Sequence, residues 1–229
     1  MTADILSVFK TGGPVVAVLA AMSVIALAMT LFKIWQFASL RVGKHRVALG
    51  AVEMWIAGDR QAAYAAVEHH RSPLSKVVAH AMRGKTHGGH MVEDVKEDVM
   101  RIAQGELLEL RRYLRGIEVI AQSAPLLGLL GTVIGMIQAF NQLEASGAAV
   151  NPAQLAGGIW TALLATAMGL GVAIVFSIVG AWFESKVENE RAIMEMTLTG
   201  FFAHRITDSQ RRDFGEVTDL ERKAGTHAR

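Results

Sequence analysis

Val119-Ile-Ala-Gln-Ser-Ala-Pro-Leu-Leu-Gly-Leu-Leu-Gly-Thr-Val-Ile-Gly-Met-Ile-Gln-Ala-Phe-Asn-Gln-Leu143 runs for 25 residues without an ionisable side chain. A helix crosses a bilayer core of ~30 Å with ~20 apolar residues, so this run is long enough to span one. A second run, Gly157 to Phe183, is also uncharged. Across the 65 residues from Val119 to Phe183, Glu144 is the single ionisable side chain. A buried helix of a water-soluble protein rarely needs so long a charge-free stretch, so the pattern predicts a transmembrane hairpin. Neither run holds an acid or a base. Any ion path through them must take its charge from a partner.

A third span is predicted near the N-terminus, where the 22 residues Thr11–Phe32 carry no charge. Ala26-Leu27-Ala28 resembles a signal-peptidase site. The leading segment, however, offers only Asp4 and Lys10, whereas Lys33, Arg41, Lys44 and Arg46 crowd the far end. That distribution favours a retained anchor. One Lys precedes this span, fourteen Lys and Arg lie from Lys33 to Arg115, none lies between spans two and three, and eight follow span three. The positive-inside rule then puts the N-terminus and the Glu144 connection outside and the C-terminus in the cytoplasm. Trp35 and Trp182 fall where inner interface anchors belong, and Trp160 at the outer end of span three.

The composition, 52% hydrophobic, agrees with a membrane protein. No cysteine is present, which excludes disulfides, thiolate metal sites and cysteine nucleophiles. The net charge of +2 says little; the placement of the charges says more.

The cytoplasmic segment reads as helices. Ser72-Pro73 is a helix start, with a capping hydroxyl followed by a proline where no N–H is needed. Leu74, Val77, Val78 and Ala81 then share a face, and the glycine-rich stretch Gly84 to His90 ends that helix. From Met91 onward, Val92, Val95, Val99, Ile102, Ala103, Leu107, Leu110, Leu114 and Ile117 recur in steps of three and four. They predict one long helix rising without interruption into span two. In the tail, Val187, Ile193, Met194, Leu198 and Phe201 predict a helix to about Ile206, frayed beyond.

The chemistry lies in the hairpin. Ala124, Gly128, Thr132, Gly135 and Ala139 share one face of span two, with Gly131 beside them. Ala162, Thr166, Gly169, Ala173 and Gly180 share one face of span three. Small residues permit close backbone approach between membrane helices. Two readings fit: the stripes only pack, each hydroxyl bonding back to a carbonyl one turn earlier, or the threonines face a cavity and offer hydrogen bonds to a partner's acid. His69-His70 and His87-Gly-Gly-His90 lack a second ligand pair at a recognised spacing, so no metal site is expected. No phosphate loop, hydrolytic triad or other enzyme signature is found, and no cofactor is expected. Basic patches such as Arg111-Arg112 abut the membrane, which suits anionic lipid better than nucleic acid.

Ser123-Ala-Pro-Leu-Leu-Gly-Leu-Leu-Gly-Thr-Val-Ile-Gly-Met-Ile-Gln-Ala-Phe140 resembles the second-span signature of the ExbB/TolQ/MotA proton-channel family. Gly158-Ile-Trp-Thr-Ala-Leu-Leu-Ala-Thr-Ala-Met-Gly-Leu170 resembles its third-span signature. The likeness covers residues 115–185. Three spans and a large loop after the first are the ExbB/TolQ layout, whereas MotA-type stators have four. The resemblance, nearest to ExbB, implies a homopentamer in the bacterial inner membrane around the single-span helix of an ExbD- or TolR-like partner with a membrane aspartate. It implies a proton path lined by Thr132 and Thr166, coupled through a TonB-like protein to outer-membrane transport. Alternatives are a TolQ-like subunit acting with a TolA-like protein in envelope maintenance, and a non-conducting scaffold. At the outer mouth, Thr161 stands where the family carries glutamate, and Val175 where it carries proline.

The expected fold is therefore all-α. It comprises an external N-terminus (1–10), transmembrane helix 1 (11–33), a cytoplasmic helical domain (34–118), transmembrane helix 2 (119–143), an external loop (144–156), transmembrane helix 3 (157–183) and a cytoplasmic tail (184–229).

Overall fold

The computed structural model describes residues 13–86, 91–145 and 152–226, with side chains in 13–86, 91–144 and 155–203. The expected external N-terminus, the His87–His90 group and residues 146–151 of the expected loop lie outside these residues. The described residues form seven α-helices: α1 (Gly13–Ser39), α2 (Arg46–Ile56), α3 (Arg60–Glu68), α4 (Pro73–Thr86), α5 (Val92–Arg111), α6 (Leu114–Ala145) and α7 (Pro152–Thr226). Among the described residues three helical stretches are long and apolar enough to cross a membrane, Gly13–Ser39, Val92–Glu144 and Leu155–Ala203. Spans two and three sit inside longer helices. The described residues divide into two compact units, one drawn from Met1–Gln36 and Arg111–Ser185, the other from Phe37–Leu110 and Lys186–Arg229.

The first unit holds the apolar parts of α1, α6 and α7. Many of its large side chains point outward: Ile25, Leu31, Leu126, Leu129, Val133, Leu163, Ile174 and Ile178 are all exposed. Its interior combines alanines, among them Ala26, Ala121, Ala124, Ala139, Ala162 and Ala165, with a few large groups such as Leu19, Ile117 and Phe183. An outer surface so apolar suits a hydrocarbon solvent, since lipid tails are as apolar as leucine. Lys33 is fully buried, and its Nζ donates to Gln36 Oε1 at 2.8 Å. The long stem of a lysine can lie along apolar surface while its charged head finds polar company.

The second unit has an ordinary hydrophobic core. Ala48, Ala51 and Val52 of α2, Ala63 and Val67 of α3, and Leu74, Val77, Val78, Ala81 and Met82 of α4 meet Val99 and Ala103 of α5. Met194, Leu198, Phe201 and Phe202 of α7 complete it. The expected helix start is present: Ser72 Oγ accepts the Ser75 N–H at 3.2 Å and donates to Ser75 Oγ at 2.8 Å. Asp59 caps α3 in the same way, accepting the Ala62 N–H at 3.1 Å. The turn between α1 and α2 is fastened to α7. Buried Glu190 accepts the Gly43 N–H at 3.1 Å and lies 2.7 Å from His45 Nε2. Gly43 has φ of +86°, a conformation glycine adopts without steric cost.

Two expectations are corrected. The single helix from Met91 into span two is broken: α5 ends at Arg111 and α6 begins at Leu114. Tyr113 has φ of +68°, which takes a bulky residue out of the helix. Its carbonyl restarts the ladder by accepting from the Gly116 and Ile117 N–H groups at 3.1 and 3.4 Å. Its ring packs edge-on against Phe32 at 5.8 Å, with the Arg112 guanidinium 5.2 Å from the ring centre. Such contacts offset the backbone strain. Secondly, the tail does not fray at Ile206, because α7 continues to Thr226. Residues 207–226 contain no proline and many good helix formers, so nothing local stops the helix.

Candidate functional site

Within the first unit the two small-residue stripes face each other. A Cβ added to Gly128 would lie 3.0 Å from the Thr166 Cα and 3.1 Å from the Ala165 carbonyl oxygen. One added to Gly169 would lie 2.5 Å from the Ala124 carbonyl oxygen. Gly131 is held as closely by the Ala165 and Val15 side chains, and Gly135 by Ala162. Further along, Gly158 abuts Ala139. The helices thus meet backbone to backbone, a separation that only glycine and alanine allow. Ala124, Ala139, Ala162 and Ala173 are all buried, as are the glycines Gly128, Gly131, Gly135 and Gly169.

The three threonines differ in what their hydroxyls do. Thr132 Oγ1 donates to the Leu129 carbonyl at 2.6 Å, and Thr161 Oγ1 to the Gly157 carbonyl at 3.0 Å, both within their own helix. Thr166 Oγ1 instead crosses to span two and donates to the Gly128 carbonyl at 3.0 Å. Thr132 lies one turn beyond Gly128 on the same helix. All three are partly accessible.

This arrangement has a chemical polarity. A hydroxyl has one donor and two acceptor lone pairs. With each donor held by a carbonyl, what the threonine oxygens offer outward is acceptor capacity. That matches a protonated carboxyl group, which can donate. An ionised carboxylate accepts only, so it would need a hydroxyl to turn away from its carbonyl. Pro125, inside α6, further leaves the carbonyl one turn before it without its usual N–H partner.

The stripes drawn from spacing omit two residues at this contact, Ala165 and Gly158. Ala165 follows Ala162 by three and precedes Gly169 by four, so the same periodicity could have included it. Among the described residues no cluster of His, Asp and Glu could hold a metal ion. His69 is exposed and approaches only Glu68, at 3.9 Å, while His70 Nδ1 lies 3.2 Å from Ser75 Oγ at the α4 cap.

Residues 69–196 match the model of the MotA/TolQ/ExbB proton channel family. The chain is 30% identical over 209 residues to an ExbB homolog of Methanothermobacter thermautotrophicus described as a biopolymer transport protein, covering 89% of this chain and 72% of that one. It is 29% identical over 215 residues to the biopolymer transport protein ExbB of Xanthomonas campestris, covering 87% and 81% respectively. An ExbB-like biopolymer transport protein of Synechocystis is 25% identical over 190 residues, with 80% and 87% covered.

Proposed function

We infer the function from one premise: the chain belongs to the MotA/TolQ/ExbB proton channel family, as a multi-pass membrane protein most like ExbB. It is a proton-channel subunit that couples the proton-motive force across the bacterial inner membrane to TonB-dependent transport at the outer membrane. Five copies surround an ExbD- or TolR-like single-span partner whose aspartate carries the proton. The observation that carries this reading is the hairpin itself. Its polar side chains near the stripe contact are hydroxyls, its own stretches supply no titratable group, and its oxygens are set to receive a donor.

A charge at the bilayer centre costs ~2.5–3.5 kcal/mol on insertion scales. The partner aspartate therefore travels neutral past the apolar wall and ionises only where water or a released hydroxyl reaches it. In its protonated form it donates to Thr132 or Thr166. On losing the proton it draws a hydroxyl off the Leu129 or Gly128 carbonyl. Thr161, at the outer mouth, provides a hydroxyl where the wider family has a carboxylate, so protons enter this path through water rather than through a fixed acid.

Replacing Thr132 and Thr166 by valine removes both hydroxyls with little change of shape. Each hydrogen bond to a charged group is worth ~1.5–3 kcal/mol, so the ionised state falls roughly ten- to hundredfold per site. Siderophore uptake in cells should collapse at normal protein level. A second reading has its own support, since the hydroxyls already have carbonyl partners and serve packing as they stand. Full activity in the double variant would favour that reading, a non-conducting scaffold. Loss of envelope integrity with intact uptake would favour a TolQ-like role beside a TolA-like protein.

The proposed orientation, N-terminus periplasmic and C-terminus cytoplasmic, rests on the Lys/Arg imbalance. Single cysteines at Gly88 and Gly147 test it in this cysteine-free chain. An impermeant thiol reagent on intact spheroplasts should reach position 147 and not 88; the opposite result would invert the topology.

A further inference from the structure

The second unit carries a solvent-open pocket of about 410 Å³ lined by Trp55, Arg60, Gln61, Tyr64, Arg83 and Thr86. Three helices build it: the end of α2, the first turns of α3 and the last turn of α4. Its volume falls in the range of small-ligand sites, ~300–1,000 Å³. The walls are two aromatic rings and the charges are two guanidinium groups. None of the described side chains lining it is acidic.

The rings and the charges are held in place. Trp55 packs at 5.8 Å on Phe201 of the core, and the Arg60 guanidinium lies 5.7 Å from the centre of its ring. Arg83 donates through Nη2 to the Tyr64 hydroxyl at 2.7 Å and lies 5.8 Å from that ring's centre. The Tyr64 hydroxyl in turn donates to Glu68 Oε1 at 3.2 Å. Tyr64 is thereby fixed from both sides. The Thr86 hydroxyl is turned to the Arg83 carbonyl at 2.8 Å and supports the last turn of α4. Guanidinium groups present donors in a planar fork that suits carboxylate and phosphate oxygens, and flat rings stack on aromatic faces.

We propose that this cavity binds a small organic anion, a phosphate or carboxylate carried on a flat ring. The ring lies against Trp55 and Tyr64, and Arg60 and Arg83 hold the anion. The proposal is independent of which ExbB- or TolQ-type role the chain plays. It gives the cytoplasmic unit a ligand of its own.

Isothermal titration of the purified full-length protein tests it with AMP, benzoate, adenosine and inorganic phosphate. AMP or benzoate should bind, and which binds tighter distinguishes a phosphate from a carboxylate ligand. Adenosine, which lacks the charge, and inorganic phosphate, which lacks the ring, should each bind about tenfold or more weakly, as loss of one charge-assisted contact implies. Arg60→Met and Arg83→Met should weaken the binding anion by a similar factor while leaving adenosine unchanged. Trp55→Leu should weaken all ring-bearing probes. Because Arg83→Met also removes the Tyr64 contact, Gln61→Glu serves as a second variant: it adds a negative charge to an exposed lining position and should weaken the anion alone. Absence of AMP and benzoate binding at millimolar concentration would overturn the proposal. So would binding that is indifferent to both arginines and to Gln61→Glu.

Discussion

The two units of this chain are both bundles of helices, yet they are held together by opposite means. In the membrane unit the closest contacts are made by what is missing: Gly128, Gly135 and Gly169 let backbones touch, and many of the large apolar side chains face away. In the second unit the contacts are made by what is present. Leu74, Met82, Val99, Met194 and Phe201 fill the interior, and polar caps finish the helices. Water rewards burial of apolar area, at ~25 cal/mol per Å². Hydrocarbon offers no such gain, so close packing and occasional hydrogen bonds must do the joining. One sequence carries both solutions, and the same substitution should have different effects in each.

The sharpest test enlarges a residue in the membrane unit. In Gly169→Leu the new side chain meets the Ala124 carbonyl, a backbone atom that cannot move aside cheaply. Overpacking typically costs ~1–3 kcal/mol and more where backbone must shift, so this variant should lose the folded hairpin and, with it, the proposed oligomer. Gly171→Leu, two residues on, has open space and should be tolerated. Native mass spectrometry and the yield of detergent-extracted protein compare the two; equal behaviour would abolish the distinction drawn above.

Next in size is truncation in the other unit. Leu74 is fully buried, and Leu74→Ala should destabilise the second unit by ~2–5 kcal/mol, the range for cavity-forming changes. Leu129→Ala, on the exposed outer surface of span two, removes the same atoms and should cost far less. Thermal unfolding of the full-length protein separates them. Similar losses would mean that Leu129 is covered by a neighbouring subunit.

The smallest effect concerns surface charge. Asp98 accepts from Arg101 at 2.7 Å and lies 2.6 Å from His80 Nε2, joining α4 to α5. The Arg101 hydrogen bond, followed by that of His80, holds the Asp98 carboxyl below its ordinary range. A depressed folded-state pKa stabilises above the unfolded value, near ~3.9, and this contribution is lost as pH falls through the folded value. Asp98→Asn should therefore lower the melting temperature slightly at pH 7, and the difference should vanish in strong acid. Exposed pairs contribute little, so a shift as large as that of Leu74→Ala would contradict this ranking.

Much of the architecture was legible because its signals are periodic. The charge-free runs mark the spans, and steps of three and four pick out Leu74, Val77, Val78 and Ala81, all of which are buried. The Ser72-Pro73 start was equally plain. The break at Tyr113 was not, because Arg-Arg-Tyr contains nothing that forbids a helix. The positive φ is sustained by Phe32 and Arg112, one of them about eighty positions away. The stripes of the candidate site could be drawn from spacing, but spacing alone does not say that they face each other. Nor does it say that Thr166 bonds across to Gly128 while Thr132 bonds within its own helix.

The fastening of Gly43 and His45 to Glu190 also bears on how the protein is made. The partners stand 147 and 145 positions apart, and the sequence between them includes spans two and three. A ribosome adding ~5–20 residues per second needs roughly 7–30 seconds to pass from one to the other. During that interval the carboxylate on which the turn after the first span closes has not yet been made. Meanwhile α2, α3 and α4, joined by short links, can already collapse together. The buried acid therefore fastens this turn only after both later spans have been synthesised, so a chain that ends before Glu190 lacks this closure.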